Sequence, residues 1–284
     1  MSSRQFTPFG GTGEIVTLDN INEYDDLPPL AEIDSPDVYE IRTGNFATDY
    51  LVPMQDGSTD FNEWYSLVDG QVLSAIPDIG LDHFYWSQEL ETVDPWSDEE
   101  GDKDLSASGD PILQDGINNN QTVSYGGGDS HISVSAAALG SNQVYTFAVV
   151  FQLDDANTDQ SLFLNGDVSG GNGYELAIDD GSYRVFHHGN ASETAGTVDT
   201  DPHVAVGTYD GNDIILDIDG ANIMNRSHVT PDNPDGAIKI AEGSQNNLVG
   251  DVGAAGHEGA AADANRRDDL TEMLAEPFDI PIST

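Results

Sequence analysis

Cysteine is absent from this chain of 284 residues. The protein therefore has no disulfide, thiolate zinc site, iron–sulfur cluster or cysteine nucleophile. Basic residues are also scarce, since 8 Lys and Arg face 52 Asp and Glu, which gives a formal net charge of −44. Because phosphate groups repel such a chain, we expect no nucleic-acid partner and no binding to anionic membranes.

Long apolar runs are missing as well. The longest clean apolar stretch, residues 145–151, is far shorter than the roughly 20 residues that span a bilayer. We interpret it as a buried strand and expect no membrane insertion. The N-terminal residues lack the basic start and apolar middle of a secretory signal peptide, so we expect no export signal there.

The acidic residues are scattered singly or in short groups, and the chain also has 10 Tyr, 10 Phe and 3 Trp. A disordered acidic segment would have few aromatics and low hydrophobicity. The composition therefore indicates a folded protein with a surface suited to molar salt. At such salt the Debye length falls to about 3 Å, so neighbouring carboxylates barely repel one another.

Residues 1–24 show no sustained periodicity and contain several glycines. We interpret them as an arm that is ordered by contacts with other chains, or alternatively as a floppy tail. Five apolar residues of this arm are the candidates for contacts between chains: Phe6, Phe9, Ile15, Val16 and Leu18. Residues 25–80 combine short apolar runs with Thr-Gly and Asp-Gly turn signals, which predicts a small β domain.

Residues 81–284 carry repeated strand signals separated by turn residues, which predicts a β-sandwich or jelly roll. The composition changes within residues 80–109, where we place the start of this domain. Residues 263–276 form the one helical pattern, with Leu270 and Leu274 on one face and Pro277 as a stop. The predicted strands are residues 121–125, 131–134, 145–153, 161–164, 174–178, 183–187, 203–209, 214–218 and 237–240.

The region after residue 80 resembles the laminin-G-like or concanavalin-A-like lectin and glucanase family. The resemblance rests on an ordered set of blocks: WSD to DLS at 96–106, VSYGG at 123–127, YTFAVVF at 145–151, and above all HVAVGTYDG at 203–211. The family implies an all-β jelly-roll sandwich that ends in a helix and a short strand. It does not by itself imply a function.

The small β unit, with its DLPPL, DYLVPMQDGS and WYSLVDG segments, resembles modules that precede lectin-like domains in structural proteins of tailed viruses of haloarchaea. This resemblance implies a virion surface protein: a capsid turret or spike, a decoration protein, or a tail component. Such a protein would be made in the host cytoplasm and would form a trimer or pentamer. Its partners would be the major capsid protein or tail proteins.

Glucanases of the resembled family carry a Glu-x-Asp-x-Glu motif, because a nucleophile and an acid must flank one glycosidic bond. No such motif occurs in this chain; Glu89 and Glu91, or Glu175 with Asp179, are the nearest candidates. We therefore expect no catalytic residues and no enzymatic activity.

The family often holds Ca²⁺ with Asp side chains and loop carbonyls, and oxygen atoms are the ligands that this ion prefers. Asp154, Asp155, Asn157 and Asp159 are the candidate calcium ligands in this chain. The alternative is a solvated acidic turn, which is the more common role of such a segment.

Residues 183–188 alternate so that Arg184, Phe186 and His188 share one face of a strand. These three residues are the candidates for contact with host surface glycans. The alternative is packing against neighbouring elements. The sequence thus favours a non-enzymatic virion surface protein whose sandwich contacts glycans, with a secreted carbohydrate-binding module or glycosidase as the alternative.

Overall fold

A computed structural model describes residues 79–283 apart from 89, 169–171 and 232, together with the backbone of five strands between residues 15 and 74. The chain divides into two compact units, Met1–Pro77 and Asp78–Thr284. No helix in the described ranges has the length and apolar character that crossing a membrane requires.

The first unit contains a five-stranded sheet in the order β1-β2-β3-β4-β5. β1 pairs with β2 in parallel and the later neighbours pair antiparallel. The sheet thus begins within the segment that the sequence suggests is an arm. Its strands are β1 (Ile15–Thr17), β2 (Val38–Arg42), β3 (Thr48–Met54), β4 (Glu63–Ser66) and β5 (Val72–Ser74).

The structure gives limited information on the five candidates for contacts between chains. Phe6, Phe9 and Leu18 lie outside the described residues, and of Ile15 and Val16 only the backbone is described, as part of β1. Their role in assembly stays a prediction.

The second unit is formed almost wholly by strands and carries one α-helix, α1 (Ala264–Ala275), with short 3₁₀ turns at Ile117–Asn119, Ser141–Gln143 and Glu276–Phe278. The strands are β6 (His83–Trp86), β7 (Ser106–Ser108), β8 (Ile112–Asp115), β9 (Gln121–Gly126), β10 (Ser130–Ile132), β11 (Tyr145–Leu153), β12 (Gln160–Asp167), β13 (Asn172–Asp179), β14 (Ser182–His187), β15 (Ala191–Ala195), β16 (His203–Tyr209), β17 (Asp213–Ile218), β18 (Ala221–Ser227), β19 (Ala237–Ile240), β20 (Asn246–Asn247) and β21 (Val249–Glu258).

These strands form two sheets that pack as a sandwich, which confirms the predicted fold class. The front sheet has the order β15-β14-β13-β12-β19-β10-β7, with β20 also paired to β12. The back sheet has the order β18-β17-β16-β11-β21-β9-β8, with β6 also paired to β21. Every one of the nine strands expected after residue 120 overlaps an observed strand.

The core lies between the inner faces of the two sheets. Phe147 and Leu216 project from the back sheet, and Phe163, Tyr174 and Val185 project from the front sheet into one buried cluster. Burial of each such side chain stabilises the fold by about 1.5–3 kcal/mol. Since successive residues of a regular strand point to opposite faces, the neighbours of Tyr174 and Val185 lie on the outer face of the front sheet.

Two tight hairpins follow the turn chemistry of the sequence. Asp180 and Gly181, with φ of 49° and 68°, join β13 to β14, and Asp219 and Gly220, with φ of 50° and 77°, join β17 to β18. Positive φ at both central positions gives the turn whose twist matches that of paired strands.

β21, a central strand of the back sheet, escapes sequence-based prediction. Its sequence VGDVGAAGHE is rich in Gly and Ala, which are poor strand formers. Gly253 nevertheless has to be small, because a Cβ there would lie 2.5 Å from the Phe278 ring. Both faces of the strand are buried, so the room available for each side chain, rather than strand propensity, limits which residues fit.

Residues 83–108 lie where the composition of the sequence changes and where the sequence suggests a domain boundary. β6 pairs with β21, and Trp96, which forms an isolated bridge with Leu105, is fully buried. The carboxylate of Asp98 holds this loop by accepting hydrogen bonds from the backbone N–H groups of Phe84, Gly101 and Lys103 at 2.9–3.0 Å. The segment is therefore an integral part of the sandwich.

α1 occupies the predicted place. Asp263 caps its N-terminus, with its side chain accepting a hydrogen bond from the Arg266 N–H, and Leu270 and Leu274 are buried. Arg267 Nε forms an ion pair of 2.6 Å with Asp217 on β17, which fixes the helix against the back sheet.

Candidate functional site

The outer face of the front sheet carries a cluster of aromatic and charged side chains, which we call the outer-face cluster: Ser161, Glu175, Arg184, Phe186 and His188. Tyr183 and Val185 of β14 enter the core, so Arg184 and Phe186 lie on the opposite face. The structure thus brings together the three residues that the sequence nominates for glycan contact.

These three residues form a stack along β14. The guanidinium carbon of Arg184 lies 4.1 Å from the centre of the Phe186 ring. The His188 ring lies 5.3 Å from that of Phe186, with an angle of 10° between the planes. Arg184 and His188 therefore both pack against the Phe186 ring, which is partly buried.

The polar contacts of Arg184 fix its position in the stack. Nη1 lies 2.5 Å from Asp179 Oδ2, and Nη2 donates to Ser192 Oγ at 2.7 Å. Nε is buried and has no partner among the described residues. About a quarter of the side chain remains accessible, at 26%. Because Nη1 and Nη2 each carry a second N–H group, this partly exposed guanidinium is suited to binding hydroxyl or carboxylate oxygens.

Glu175 anchors the other end of the cluster and is fully buried. It accepts hydrogen bonds from Ser161 Oγ at 2.5 Å, His188 Nε2 at 2.8 Å and the Ser244 N–H at 2.9 Å. A Cβ at Gly243 would overlap its Oε1 atom, so glycine allows the loop of residues 241–245 to close over it. The carboxylate on β13 thereby joins β12, the residue that follows β14, and the loop at 241–245.

The order of these groups decides what chemistry they allow. In a Ser-His-acid triad the imidazole lies between the hydroxyl and the carboxylate, and it removes the proton from the hydroxyl. Here Glu175 lies between Ser161 and His188, and Ser161 donates to the carboxylate instead. The arrangement therefore differs from that of a triad, and its hydrogen bonds hold the three side chains in place.

The candidate calcium loop folds as a hydrogen-bonded turn. Asp155 Oδ1 accepts from the Asn157 N–H at 2.9 Å, and Oδ2 accepts from Thr158 Oγ1 at 2.7 Å. These bonds lower the pKa of Asp155, with the Asn157 N–H as the largest cause. Asp159 Oδ1 accepts from the Asp180 N–H at 2.8 Å.

The four candidate ligands therefore gain no geometric support as a calcium site. Throughout the ranges that the structure describes, no group of three or more His, Asp or Glu side chains is arranged to hold a metal ion. The assignment of these four residues as calcium ligands stays a prediction, with the solvated acidic turn as its alternative.

A second polar network lies at one end of the core, beneath residues 228–231. His187 Nδ1 donates to the Val229 carbonyl at 2.8 Å, so its Nε2 accepts from the Tyr145 hydroxyl at 2.7 Å. Burial lowers the pKa of His187 to about 3, which keeps the ring neutral. The Tyr209 hydroxyl donates to Thr230 Oγ1 at 3.2 Å. Sequence analysis did not find this network, since its members are far apart in the chain.

Comparison with known proteins gives the fold. No family model matches the sequence, and no curated protein matches it. Among solved structures, domain 4 of the extracellular arabinanase AbnA from Geobacillus stearothermophilus, in complex with arabinotriose, matches with a TM-score of 0.56 and 12% identity, over 67% of this chain and 98% of that one.

Two further solved structures are similar. A Trypanosoma rangeli sialidase in complex with the inhibitor DANA has a TM-score of 0.54 and 11% identity, over 83% of this chain and 43% of that one. A botulinum neurotoxin type C structure, from a protein whose cell entry depends on two ganglioside molecules, has a TM-score of 0.53 and 12% identity, over 69% of this chain and 52% of that one. The chain thus spans about half the length of the latter two. At these identities the likeness establishes a lectin-like β-sandwich fold and leaves function to be proposed.

Proposed function

We propose that this chain is a non-enzymatic surface protein that binds carbohydrate through its β-sandwich. The observation that carries the proposal is the fixed position of Arg184, between Asp179, Ser192 and the Phe186 ring. A donor group that is held before a ligand arrives loses little entropy on binding. The similar structures, which include an arabinotriose complex, support the same class of ligand.

The geometry of the outer-face cluster limits which of its groups a sugar could contact. Because Arg184 and His188 already pack against the Phe186 ring, we expect little of that ring to be free for a sugar to stack on. The sugar would instead contact the guanidinium, the Ser192 hydroxyl and the exposed part of Phe186. His188 has a supporting role, since it is buried and bonded to Glu175.

A glycan array in molar KCl tests this proposal with three proteins. Wild type should bind a subset of glycans above an unrelated acidic protein, and Arg184→Gln should lose at least about tenfold in affinity. Arg226→Gln, which removes an equal charge from an exposed site on β18, should bind as wild type does. No binding by wild type, or equal binding by Arg184→Gln, would refute the proposal.

We further propose that the protein is displayed on the surface of a virion from a halophilic host, after synthesis in the host cytoplasm. The resemblance of the small β unit to modules of haloarchaeal tailed viruses supports this setting, together with the acidic composition. Purified particles probed with an antibody against this chain should contain it on their surface. Its absence from the particle would end the virion proposal and leave a halophilic carbohydrate-binding module.

A further inference from the structure

On the outer face of the front sheet, Asp179 and Arg184 place a hydrogen-bond acceptor beside a donor. Since Arg184 lies opposite Ala177, it is the diagonal neighbour of Asp179 across β13 and β14. Arg184 Nη1 donates to Asp179 Oδ2 at 2.5 Å, and each of the two side chains is 26% exposed. The ion pair therefore lies at the surface, where a ligand can reach both partners.

Each partner of this ion pair retains hydrogen-bonding capacity. A guanidinium has five N–H groups, and Arg184 directs one to Asp179 and one to Ser192. Nη1 and Nη2 thus each keep a second N–H for a ligand. Among the described residues, Asp179 Oδ1 has one hydrogen-bonding contact, from Gln245 Nε2 at 3.5 Å, which is longer than an ordinary hydrogen bond. The pair therefore offers a ligand donors on one side and an acceptor on the other.

Two adjacent hydroxyl groups of a sugar match this pattern. A hydroxyl both donates and accepts hydrogen bonds, so one hydroxyl can accept from an Arg184 Nη group while its neighbour donates to Asp179 Oδ1. Both bonds have a charged partner, and such bonds are about twice as strong as those between neutral groups. Ser192 Oγ accepts from Nη2, so its own O–H can donate to a third sugar oxygen. A neutral sugar thus uses every group that the ion pair offers.

A carboxylate on the ligand matches the same pair poorly. It has no hydrogen to donate to Asp179 Oδ1, and it would have to share the guanidinium of Arg184 with the Asp179 carboxylate. At about 1 M salt the Debye length is roughly 3 Å, so distant charges are screened, whereas charges in direct contact still repel. The exposed side chain of Asp180 adds a further negative charge next to the pair. The ion pair therefore disfavours acidic sugars.

We propose that the outer-face cluster, together with Asp179, is specific for neutral glycans that carry two adjacent free hydroxyl groups. Arg184 binds one hydroxyl and Asp179 binds the other, and the carboxylate of Asp179 also excludes uronic and sialic acids. This inference rests on the proposed carbohydrate binding and adds the class of glycan. A site for anionic sugars would instead present a guanidinium without a carboxylate of the protein in contact with it.

A glycan array in molar KCl tests the proposal when each neutral oligosaccharide is printed beside the corresponding uronate, such as galactotriose with trigalacturonate and mannotriose with trimannuronate. Wild type should bind the neutral member at least about tenfold more tightly than the acidic one. Methylation of one of two adjacent hydroxyls should weaken binding by a similar factor. A bound glycan that lacks two adjacent free hydroxyls would overturn the proposal.

The Asp179→Asn variant tests the carboxylate while keeping the shape of the side chain. It should bind neutral glycans at least about tenfold more weakly, and the preference for neutral over acidic glycans should disappear, because the guanidinium then has no balancing charge. Asp269→Asn removes an equal charge from the exposed surface of α1 and should bind as wild type does. A preference that persists in Asp179→Asn would contradict the role of Asp179. If Asp179→Asn fails to fold, the paired comparison on wild type decides the proposal.

The array separates failure of this inference from failure of the proposed function. A wild type that binds no glycan of either class would refute carbohydrate binding itself. A wild type that binds acidic glycans as tightly as their neutral counterparts, or more tightly, would leave the proposed function in place and overturn the specificity for neutral sugars.

Discussion

At the scale of single residues, Glu175 is the most constrained group of the outer-face cluster. It is fully buried, and its partners are a hydroxyl, an imidazole and a backbone N–H. Glu175→Ala should lower the free energy of unfolding by about 3 kcal/mol, because the Ser161 hydroxyl and the Ser244 N–H lose their acceptor inside the protein. Urea unfolding in molar KCl measures this change.

The control for this variant is Glu272→Ala, on the exposed side of α1. It removes the same carboxylate from a solvated position and should change stability by no more than about 0.5 kcal/mol. If both variants lost the same stability, Glu175 would not be the anchor of the loop at 241–245.

His257 gives the protein a specific dependence on pH. Its ring is fully buried in the core, and neither nitrogen has a partner among the described residues. Burial, aided by the nearby charge of His83, lowers its pKa to about 3 from 6.5. Above pH 6.5 the ring is neutral in both the folded and the unfolded state, and the free energy of unfolding does not depend on its titration. Below that pH the unfolded state binds a proton that the buried ring does not, so the free energy of unfolding falls by about 1.4 kcal/mol per pH unit.

The expected result is that His257→Leu loses about 2 kcal/mol less stability than wild type between pH 8 and pH 5. Chemical unfolding at both pH values measures the difference. His203 provides a control of opposite sign. Burial lowers its pKa, but the hydrogen bonds and charges of Asp219 and Asp199 outweigh burial and raise it. His203→Gln should therefore lose more stability than wild type on acidification, and a loss equal in all three proteins would contradict this account.

The sequence could place some members of the outer-face cluster but not others. Arg184, Phe186 and His188 follow one another at every second position, so strand alternation alone puts them on one face. Ser161 and Ser244 join them only because β12 shifts register between Ser161 and Phe163, and because the loop at 241–245 folds back. Contacts that depend on the relative position of distant segments leave no local pattern to read.

At the scale of elements, the glycines of β21 show how space limits the strand. Gly253→Ala should lower the free energy of unfolding by about 1–3 kcal/mol, because the new Cβ overlaps the Phe278 ring and the ring must shift. Gly128→Ala is the control, since nothing lies within 4 Å of a Cβ built there. Thermal unfolding of both variants measures the effect. If Gly253→Ala were as stable as Gly128→Ala, the Phe278 ring would repack without cost, which would contradict this account.

The surroundings of a strand or helix decide whether its sequence predicts it. β11 and β16 were found with correct bounds, because runs of Val, Phe and Tyr indicate strands that are buried on the pleated sheet. β7, β8, β15 and β18 were missed because edge strands bury few side chains and have polar sequences. α1 was found because Asp263 and Pro277 mark its ends.

At the scale of the whole molecule, the charge predicts the solvent in which the protein is stable. Among the described residues, most of the basic side chains are already in ion pairs, such as Arg184 with Asp179 and Arg267 with Asp217. Most carboxylates therefore have no cation of the protein to balance them. Their repulsion should be strong in dilute buffer and weak when the Debye length falls from about 10 Å to about 3 Å.

The melting temperature should accordingly rise steeply between 0.1 and 2 M KCl. Calorimetry over a KCl series, with sucrose at matched water activity as the control, separates charge screening from general exclusion of solute. A melting temperature that is independent of salt would contradict the proposed adaptation to molar salt.

The lectin-like fold could be inferred from the order of sequence blocks, whereas the function could not. The blocks at 145–151 and 203–211 are β11 and β16, which lie side by side in the centre of the back sheet. These two strands are part of the scaffold that identifies the fold. The candidate site lies on the outer face of the other sheet, and the scaffold strands do not specify its side chains.

The central claim is that the sandwich binds carbohydrate without cleaving it, and ligand-observed NMR tests both parts in one sample. Wild type in molar KCl is mixed with a panel of oligosaccharides that includes arabinotriose and any array-positive glycan. The account predicts saturation transfer to at least one oligosaccharide, reduced in Arg184→Gln, with signals that stay those of the intact sugar over days. Transfer to none of them, or the appearance of new reducing ends, would contradict it.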